Sequence, residues 1–180
     1  MLTRGKLIVL AILLLAVALA LVNMAFQTRT SSRAVAYWGE EGARLILTAG
    51  KVELMPLREP RDDDASGGGV EYVDVGQGRL QIVHVRDISA SPGSLHFRRA
   101  LVTDELFDWN ATPALPRWRY ALRFREDEST FTILLDGSCL HCAALTAAEE
   151  VLTVRAIKGK SPLRDFVAEQ LPQGIERILP

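Results

Sequence analysis

An uninterrupted run of sixteen apolar residues, Leu7–Val22, constrains this chain more than any other stretch. A helix that crosses a bilayer needs about 20 residues to span ~30 Å of hydrocarbon. Extending the run to Phe26 reaches that length with one amide, Asn23, near the far interface. Because a lone segment in lipid must satisfy its own backbone hydrogen bonds, the sequence predicts a transmembrane helix over residues 7–26.

The charges beside this segment predict its orientation. Arg4 and Lys6 precede it, and the first acidic residue of the chain is Glu40. Positive charge before the first apolar segment favours an N-terminus that stays in the cytoplasm. We therefore expect residues 1–6 in the cytoplasm, a single-pass signal anchor in contact with the lipid bilayer, and an extracytoplasmic C-terminal domain.

A cleaved secretory signal peptide is the alternative interpretation of the same segment. Such peptides carry an apolar core of about 7–15 residues before a small-x-small cleavage site. Ala18-Leu19-Ala20 is an imperfect match to that site. The run lies at the upper end of the length range, which favours the uncleaved anchor. Both interpretations place the residues beyond the segment outside the cytoplasm.

The rest of the chain, about 150 residues, is enough for one domain with its own core. The chain has 21 basic and 22 acidic residues, so it lacks the basic excess expected of a nucleic-acid-binding protein. It contains no G-x-S-x-G, H-E-x-x-H or phosphate-binding loop. We therefore expect no cofactor, no metal site and no catalytic residues, but a binding or assembly domain whose partners are other membrane or envelope proteins.

The predicted fold class is α+β, with the transmembrane helix followed by a β-rich domain of antiparallel hairpins and a C-terminal amphipathic helix. Residues 27–36 are polar and predict a linker, which leaves 37–180 as the domain. Tyr37 and Trp38 are expected to be the first core residues rather than an interfacial belt at the membrane.

Alternating or apolar stretches bounded by turn residues predict the strands of this domain. They are Ala43–Thr48 and Lys51–Leu57, Val70–Val75 and Leu80–Arg86, Leu95–Val102, Trp118–Arg125 and Thr130–Leu135, and Val151–Ile157. Pro56 predicts an edge or an end for its strand. The C-terminal helix is expected after Pro162, with Leu163, Phe166, Val167 and Leu171 on one face.

The clearest strand, Trp118–Arg125, has strict two-residue alternation. Trp118, Tyr120, Leu122 and Phe124 are predicted on one face, and Arg119, Ala121, Arg123 and Arg125 on the other. We expect the arginines to meet solvent or the acidic residues Glu126 and Glu128.

The motif Cys139-Leu140-His141-Cys142 is a C-x-x-C, the one short pattern here with known chemistry. It follows a predicted strand, and Ala143–Glu150 is predicted to be helical, with Thr146 and Glu149 as a capping box. Strand, C-x-x-C and helix together resemble the local arrangement of thioredoxin-like redox sites, where the helix N-terminus lowers the pKa of the first thiol. The alternative function is therefore a membrane-tethered thiol-disulfide oxidoreductase, with Cys139 as nucleophile, Cys142 as resolving thiol and His141 as a neighbour that lowers the thiol pKa.

The context of the motif favours a structural role instead. Only 38 residues follow Cys142, too few for the remainder of a thioredoxin-like fold. His141 lies between the cysteines, whereas haem attachment requires it directly after the second one. Structural zinc needs four ligands, and three from adjacent positions do not easily reach one ion. We therefore expect a local disulfide or two buried thiols.

Overall fold

The computed structural model describes residues 6, 12–20, 32–60, 71–76, 78–112, 115–146, 150–159 and 162–171. Residues 12–20 are helical. Within the described residues, no helix combines the length and the apolar character needed to cross a membrane. More than half of the predicted segment 7–26 lies outside the described residues, so the transmembrane helix stays a prediction.

The domain is α+β and is built on one large sheet, in which every described strand pair is antiparallel. The strands are β1 Lys51–Arg58, β2 Tyr72–Asp74, β3 Arg79–Ile82, β4 Arg86–Asp87, β5 Phe107–Asp108, β6 Trp118–Glu126, β7 Ser129–Asp136, β8 His141–Leu145 and β9 Arg155–Ile157. Their order is β2-β3-β1-β6-β7-β8-β9-β5, with β4 also beside β1. The predicted β-rich α+β class is confirmed.

Three helices pack with this sheet: α1 Glu40–Thr48, α2 Ser94–Leu101 and α3 Leu163–Gln170. Residues 32–38 are also helical, and a short 3₁₀ helix spans Asp104–Leu106. α1 contacts β6, β7 and α2, so the larger core lies between the helices and one face of the sheet. Trp38 belongs to that core, as predicted, and so does Ala34, which is fully buried.

Two predicted strands are wrong, because Ala43–Thr48 lies in α1 and Leu95–Val102 overlaps α2. The first predicted hairpin therefore does not exist. α1 begins at Glu40, where Glu40 and Glu41 place negative charge in the first turn and stabilise the helix dipole. Its buried residues, which share one helical face, are Gly42, Ala43, Leu45 and Ile46. A six-residue window of apolar residues does not distinguish that face from a strand.

Pro56 lies in β1, which is paired on both sides, although proline predicts an edge strand. The Pro56 carbonyl accepts a hydrogen bond from the Val83 N–H at 2.9 Å. In an antiparallel ladder the N and O of one residue point to the same side. The missing N–H of Pro56 therefore points at the interruption between β3 and β4, where no regular ladder bond is required.

The predicted hairpin of Trp118–Arg125 with Thr130–Leu135 is confirmed as β6 and β7, but one side chain changes face. The register shifts between Trp118 and Tyr120. As a result, Trp118 packs with Ala121 and Leu134, while Tyr120 lies in the larger core on the other face. An extra residue in one strand reverses the alternation on one side of it.

The arginine row of β6 meets an acid that the sequence did not identify. Arg123 lies directly opposite Glu53 of β1, at 3.8 Å, and also pairs with Glu71 at 2.8 Å. Arg125 is 3.6 Å from Glu53. Glu126 pairs with Arg44 of α1 instead. The contacts of Arg123 and Arg125 with Glu53 depend on the pairing of β1 with β6, two strands that are far apart in sequence.

The remaining predictions are confirmed in part. β2 and β3 form the expected second hairpin, although β3 ends at Ile82 and a separate β4 follows. α3 buries Leu163, Phe166 and Val167, as its spacing predicted. Strand β9 covers only the last part of Val151–Ile157.

Candidate functional site

The C-x-x-C motif spans the end of the turn between β7 and β8 and the first two residues of β8, with no helix directly after it. The residues following Cys142 continue strand β8 to Leu145, so the helix predicted over Ala143–Glu150 is wrong in its first part. Glu149 of the predicted capping box lies outside the described residues. Neither thiol therefore lies at a helix N-terminus, the feature that would favour a thiolate.

Asp136 organises this turn. Its Oδ1 accepts the backbone N–H groups of Leu140 at 2.8 Å and His141 at 2.9 Å. Its Oδ2 accepts the Ser138 hydroxyl at 2.6 Å and lies 3.1 Å from His141 Nδ1. Burial alone raises the pKa of Asp136, but these hydrogen bonds outweigh burial and hold the pKa below its ordinary value. The His141 imidazole thus pairs with a carboxylate that also fixes the backbone of the motif.

Both cysteines are buried free thiols, and Cys139 is 2% exposed. Burial, with the nearby Asp136 carboxylate, raises the pKa of Cys139 to about 12. Burial likewise raises the pKa of Cys142. A redox nucleophile needs the opposite, an accessible thiol with a lowered pKa. The geometry of Cys139, Cys142 and His141 gives the oxidoreductase alternative no activated thiolate.

Tyr37 connects the residues 32–38 to the strands behind the motif. Its hydroxyl donates to the Thr153 carbonyl at 2.8 Å and lies 3.2 Å from the Cys142 carbonyl. The guanidinium carbon of Arg155 lies 5.7 Å from the ring centroids of both Tyr37 and Trp109. These contacts close the interior side of the motif. Tyr37 packs against the core as predicted, but the sequence did not indicate its contact with the motif, nor the roles of Asp136 and Arg155, although Asp136-Gly137-Ser138 carried a turn signal.

A cleft of about 1000 Å³ lies on the other face of the sheet, away from α1. There β2 and β3 cover a second apolar cluster that includes Met55, Ala121 and Leu134. Residues at the margin of that cluster stay partly buried, namely Val75, Leu80, Trp118, Leu145 and Val151. The cleft opens beside this margin, where the described residues cover the second face of the sheet incompletely.

The lining of the cleft combines exposed apolar side chains with arginines. Leu115 is 89% exposed, and Leu152 is also exposed. Among the described residues, Arg79, Arg117 and Arg119 contribute three guanidinium groups, against two carboxylates from Glu59 and Glu150. Apolar side chains beside arginines and a tryptophan are typical of recognition surfaces. None of these residues was a sequence candidate, because their proximity depends on four separate segments of the chain.

Within the described residues, no three His, Cys, Asp or Glu side chains converge as metal ligands would. A second cavity, of about 160 Å³, is apolar and lies between α2 and α3. Comparison with models of protein families, with curated proteins and with solved structures finds no match to this chain.

Proposed function

We propose that this chain is a single-pass membrane-anchored protein whose extracytoplasmic domain is a non-enzymatic binding module, with the cleft as its binding site. The observation that carries the proposal is the exposure of Leu115 in a cleft that also holds Arg117 and Trp118. The anchor is the predicted helix over residues 7–26, and residues 1–6 lie in the cytoplasm. The domain lies outside the cytoplasm and includes the C-terminal helix.

The energetics favour a partner at this position. Burying a leucine side chain contributes about 1.5–3 kcal/mol, which an exposed leucine forgoes. A single exposed leucine is ordinary, but a patch with polar neighbours indicates an interaction site. Leu115 and Leu152 share one cleft with the half-buried ring of Trp118. A partner that covers the cleft would gain this apolar area together with charge contacts to the arginines.

The chemistry of the two sites supports binding rather than catalysis. The thiols of the C-x-x-C motif are buried in their protonated form. The cleft offers arginines, which stay charged and do not act as general bases. Its described carboxylates, Glu59 and Glu150, are exposed at the rim. Such a lining positions a ligand by charge and apolar contact.

The binding site can be tested with a photoreactive amino acid in place of Leu115 in the full chain, expressed in membranes. The matched control carries the same amino acid in place of Leu95, an exposed residue of α2 outside the cleft. We expect covalent adducts after irradiation at position 115 only, and their loss when Arg117→Glu is added. Equal adduct yields at both positions, or none at either, would contradict the proposal.

The topology is tested separately with tags at both termini. External protease on intact cells should remove the C-terminal tag and leave the N-terminal tag attached to a fragment of the anchor. A C-terminal tag that resists the protease in intact cells but not after lysis would refute the extracytoplasmic placement.

A further inference from the structure

We infer that the occupant of the cleft is one anionic amphiphile, a phospholipid with a net negative headgroup, whose phosphate the arginines bind and whose acyl chains the apolar side chains cover. This inference rests on the proposed function and names its ligand. Three features carry it: the size of the cleft, its charge, and the character of its walls.

The size of the cleft indicates a ligand with a substantial body. Its volume of about 1000 Å³ lies at the upper end of the roughly 300–1000 Å³ usual for small-molecule sites. A free phosphate ion would leave most of that space to water. An amphiphile fills it and exchanges water for contact with Trp118, Val151 and Leu152.

The charge of the lining indicates an anion. Among the described residues of the lining, three guanidinium groups and two carboxylates leave an excess of one positive charge, whereas the whole chain has a net charge of −1. Arg117 is exposed and makes no ion pair among the described residues. Arg79 is held over the Tyr72 ring, 5.7 Å from its centroid. Arginine matches phosphate oxygens with paired N–H donors, so the lining favours a phosphate headgroup.

The apolar and charged groups of the cleft belong to the same short segment, as an amphiphile requires. Leu115, Arg117, Trp118 and Arg119 follow one another along the chain. Leu115 and Trp118 offer apolar contact, and the arginines beside them offer donors. One ligand can therefore place its headgroup and its acyl chains against neighbouring residues without spanning the domain.

The walls of the cleft favour a lipid over an extended acidic peptide. A peptide that binds by strand addition needs an edge strand with unpaired backbone groups. Of the described lining, Arg79 and Leu80 lie in β3 and Trp118 and Arg119 lie in β6, and both of these strands have a neighbouring strand on each side. The rest of the described lining lies outside the strands β1–β9. The proposed anchor would also hold the domain at the membrane surface, within reach of lipid headgroups.

Calorimetric titration of the purified full chain in nonionic detergent tests the inference. The probes are dihexanoyl-phosphatidylglycerol, dihexanoyl-phosphatidylcholine, inorganic phosphate and a poly-glutamate peptide. We expect phosphatidylglycerol to bind at least about tenfold more tightly than each of the other three. Arg117→Gln should weaken that binding about tenfold, and Leu115→Asp should weaken it as well. Arg99→Gln, which removes an exposed arginine of α2 outside the cleft, should leave it unchanged.

The other outcomes separate the two proposals. Equal affinity for the two lipids, or an Arg99→Gln effect as large as that of Arg117→Gln, would overturn the inference. Binding of the peptide without binding of lipid would also overturn it and leave the cleft as a protein-binding site. Failure of every probe, with adducts still specific to position 115, would overturn the lipid and retain the proposed function. Failure of the adducts as well would end both.

Discussion

The Asp104 carboxylate accepts a hydrogen bond from the backbone N–H of Ala34 at 2.7 Å, across seventy positions of sequence. It also accepts the Arg33 N–H at 3.3 Å. Helix starts leave N–H groups without intrahelical partners, so Asp104 caps the helical residues 32–38 from another part of the chain. The same residues carry Tyr37 and Trp38 into the core. The cap thus fixes the first part of the domain after the predicted membrane segment.

Asp104→Ala is expected to lower the free energy of unfolding by about 1 kcal/mol, because it leaves two helix-terminal N–H groups without their acceptor. Urea titration followed by tryptophan fluorescence measures the loss. Asp104→Asn keeps an acceptor oxygen and should cost clearly less. If both variants lose the same stability, the effect is one of charge and the capping interpretation fails.

Asp136 should make stability depend on acid pH. Its hydrogen bonds hold its pKa below the value of about 3.9 expected in the unfolded chain. A carboxyl group whose pKa is lower in the folded than in the unfolded chain stabilises the folded protein above about pH 4. This stabilisation is lost as the pH falls through the folded-state pKa. We therefore expect Asp136→Asn to flatten the acid limb of the stability curve.

Urea titrations between about pH 5 and pH 2 measure this difference. Asp87 also has a lowered pKa, from its hydrogen bonds to Ser89, but it is present in both proteins. The difference between the two curves therefore isolates Asp136. Parallel curves for wild type and Asp136→Asn would show that the carboxylate does not act in this way.

The two thiols should resist alkylation in the folded protein. With a pKa of about 12, Cys139 is ionised to only about 1 part in 10⁴ at pH 8, and both sulfur atoms are buried. Iodoacetamide labelling of reduced protein should therefore proceed only as fast as the protein unfolds, and become rapid in urea. Fast labelling of Cys139 without denaturant would revive the oxidoreductase alternative.

Gly42→Ala should destabilise the protein, although alanine favours helices by about 1 kcal/mol over glycine. A Cβ at position 42 would lie 2.7 Å from Cε2 of Phe131, whose ring packs 6.0 Å from that of Trp38. Accommodating such overpacking typically costs about 1–3 kcal/mol. Set against the gain in helix propensity, this predicts a net decrease of about 1 kcal/mol in the free energy of unfolding. Thermal and urea unfolding measure it.

Two companion variants test this explanation. A Cβ at position 50 would meet no atom within 4 Å, and Gly50 has no positive φ, so Gly50→Ala should be neutral or slightly stabilising. In a Phe131→Leu background, Gly42→Ala should cost less than in wild type, because the smaller side chain leaves room for the methyl group. An unchanged cost there would assign the loss to something other than the Phe131 ring.

The elements whose signal is local could be predicted from the amino-acid sequence. Alternation predicted the hairpin of β6 and β7, and helical spacing predicted the buried face of α3. It also placed Trp38 in the core. It did not determine α1 and α2, because their apolar positions within six to eight residues fit a strand as well as a helix.

Features that join distant segments of the chain could not be predicted, because they arise when the chain folds. The bulge that turns Trp118 to the second face, the Glu53 partner of Arg123 and the Asp104 cap all follow from pairings between residues far apart in sequence. The environment of Cys139 is of the same kind, because a strand follows the motif and burial raises the thiol pKa. Composition and spacing show which chemical groups the chain has. The pKa of a thiol and the exposure of Leu115 depend on neighbours from other segments of the chain, so burial and distance decide which chemistry those groups can perform.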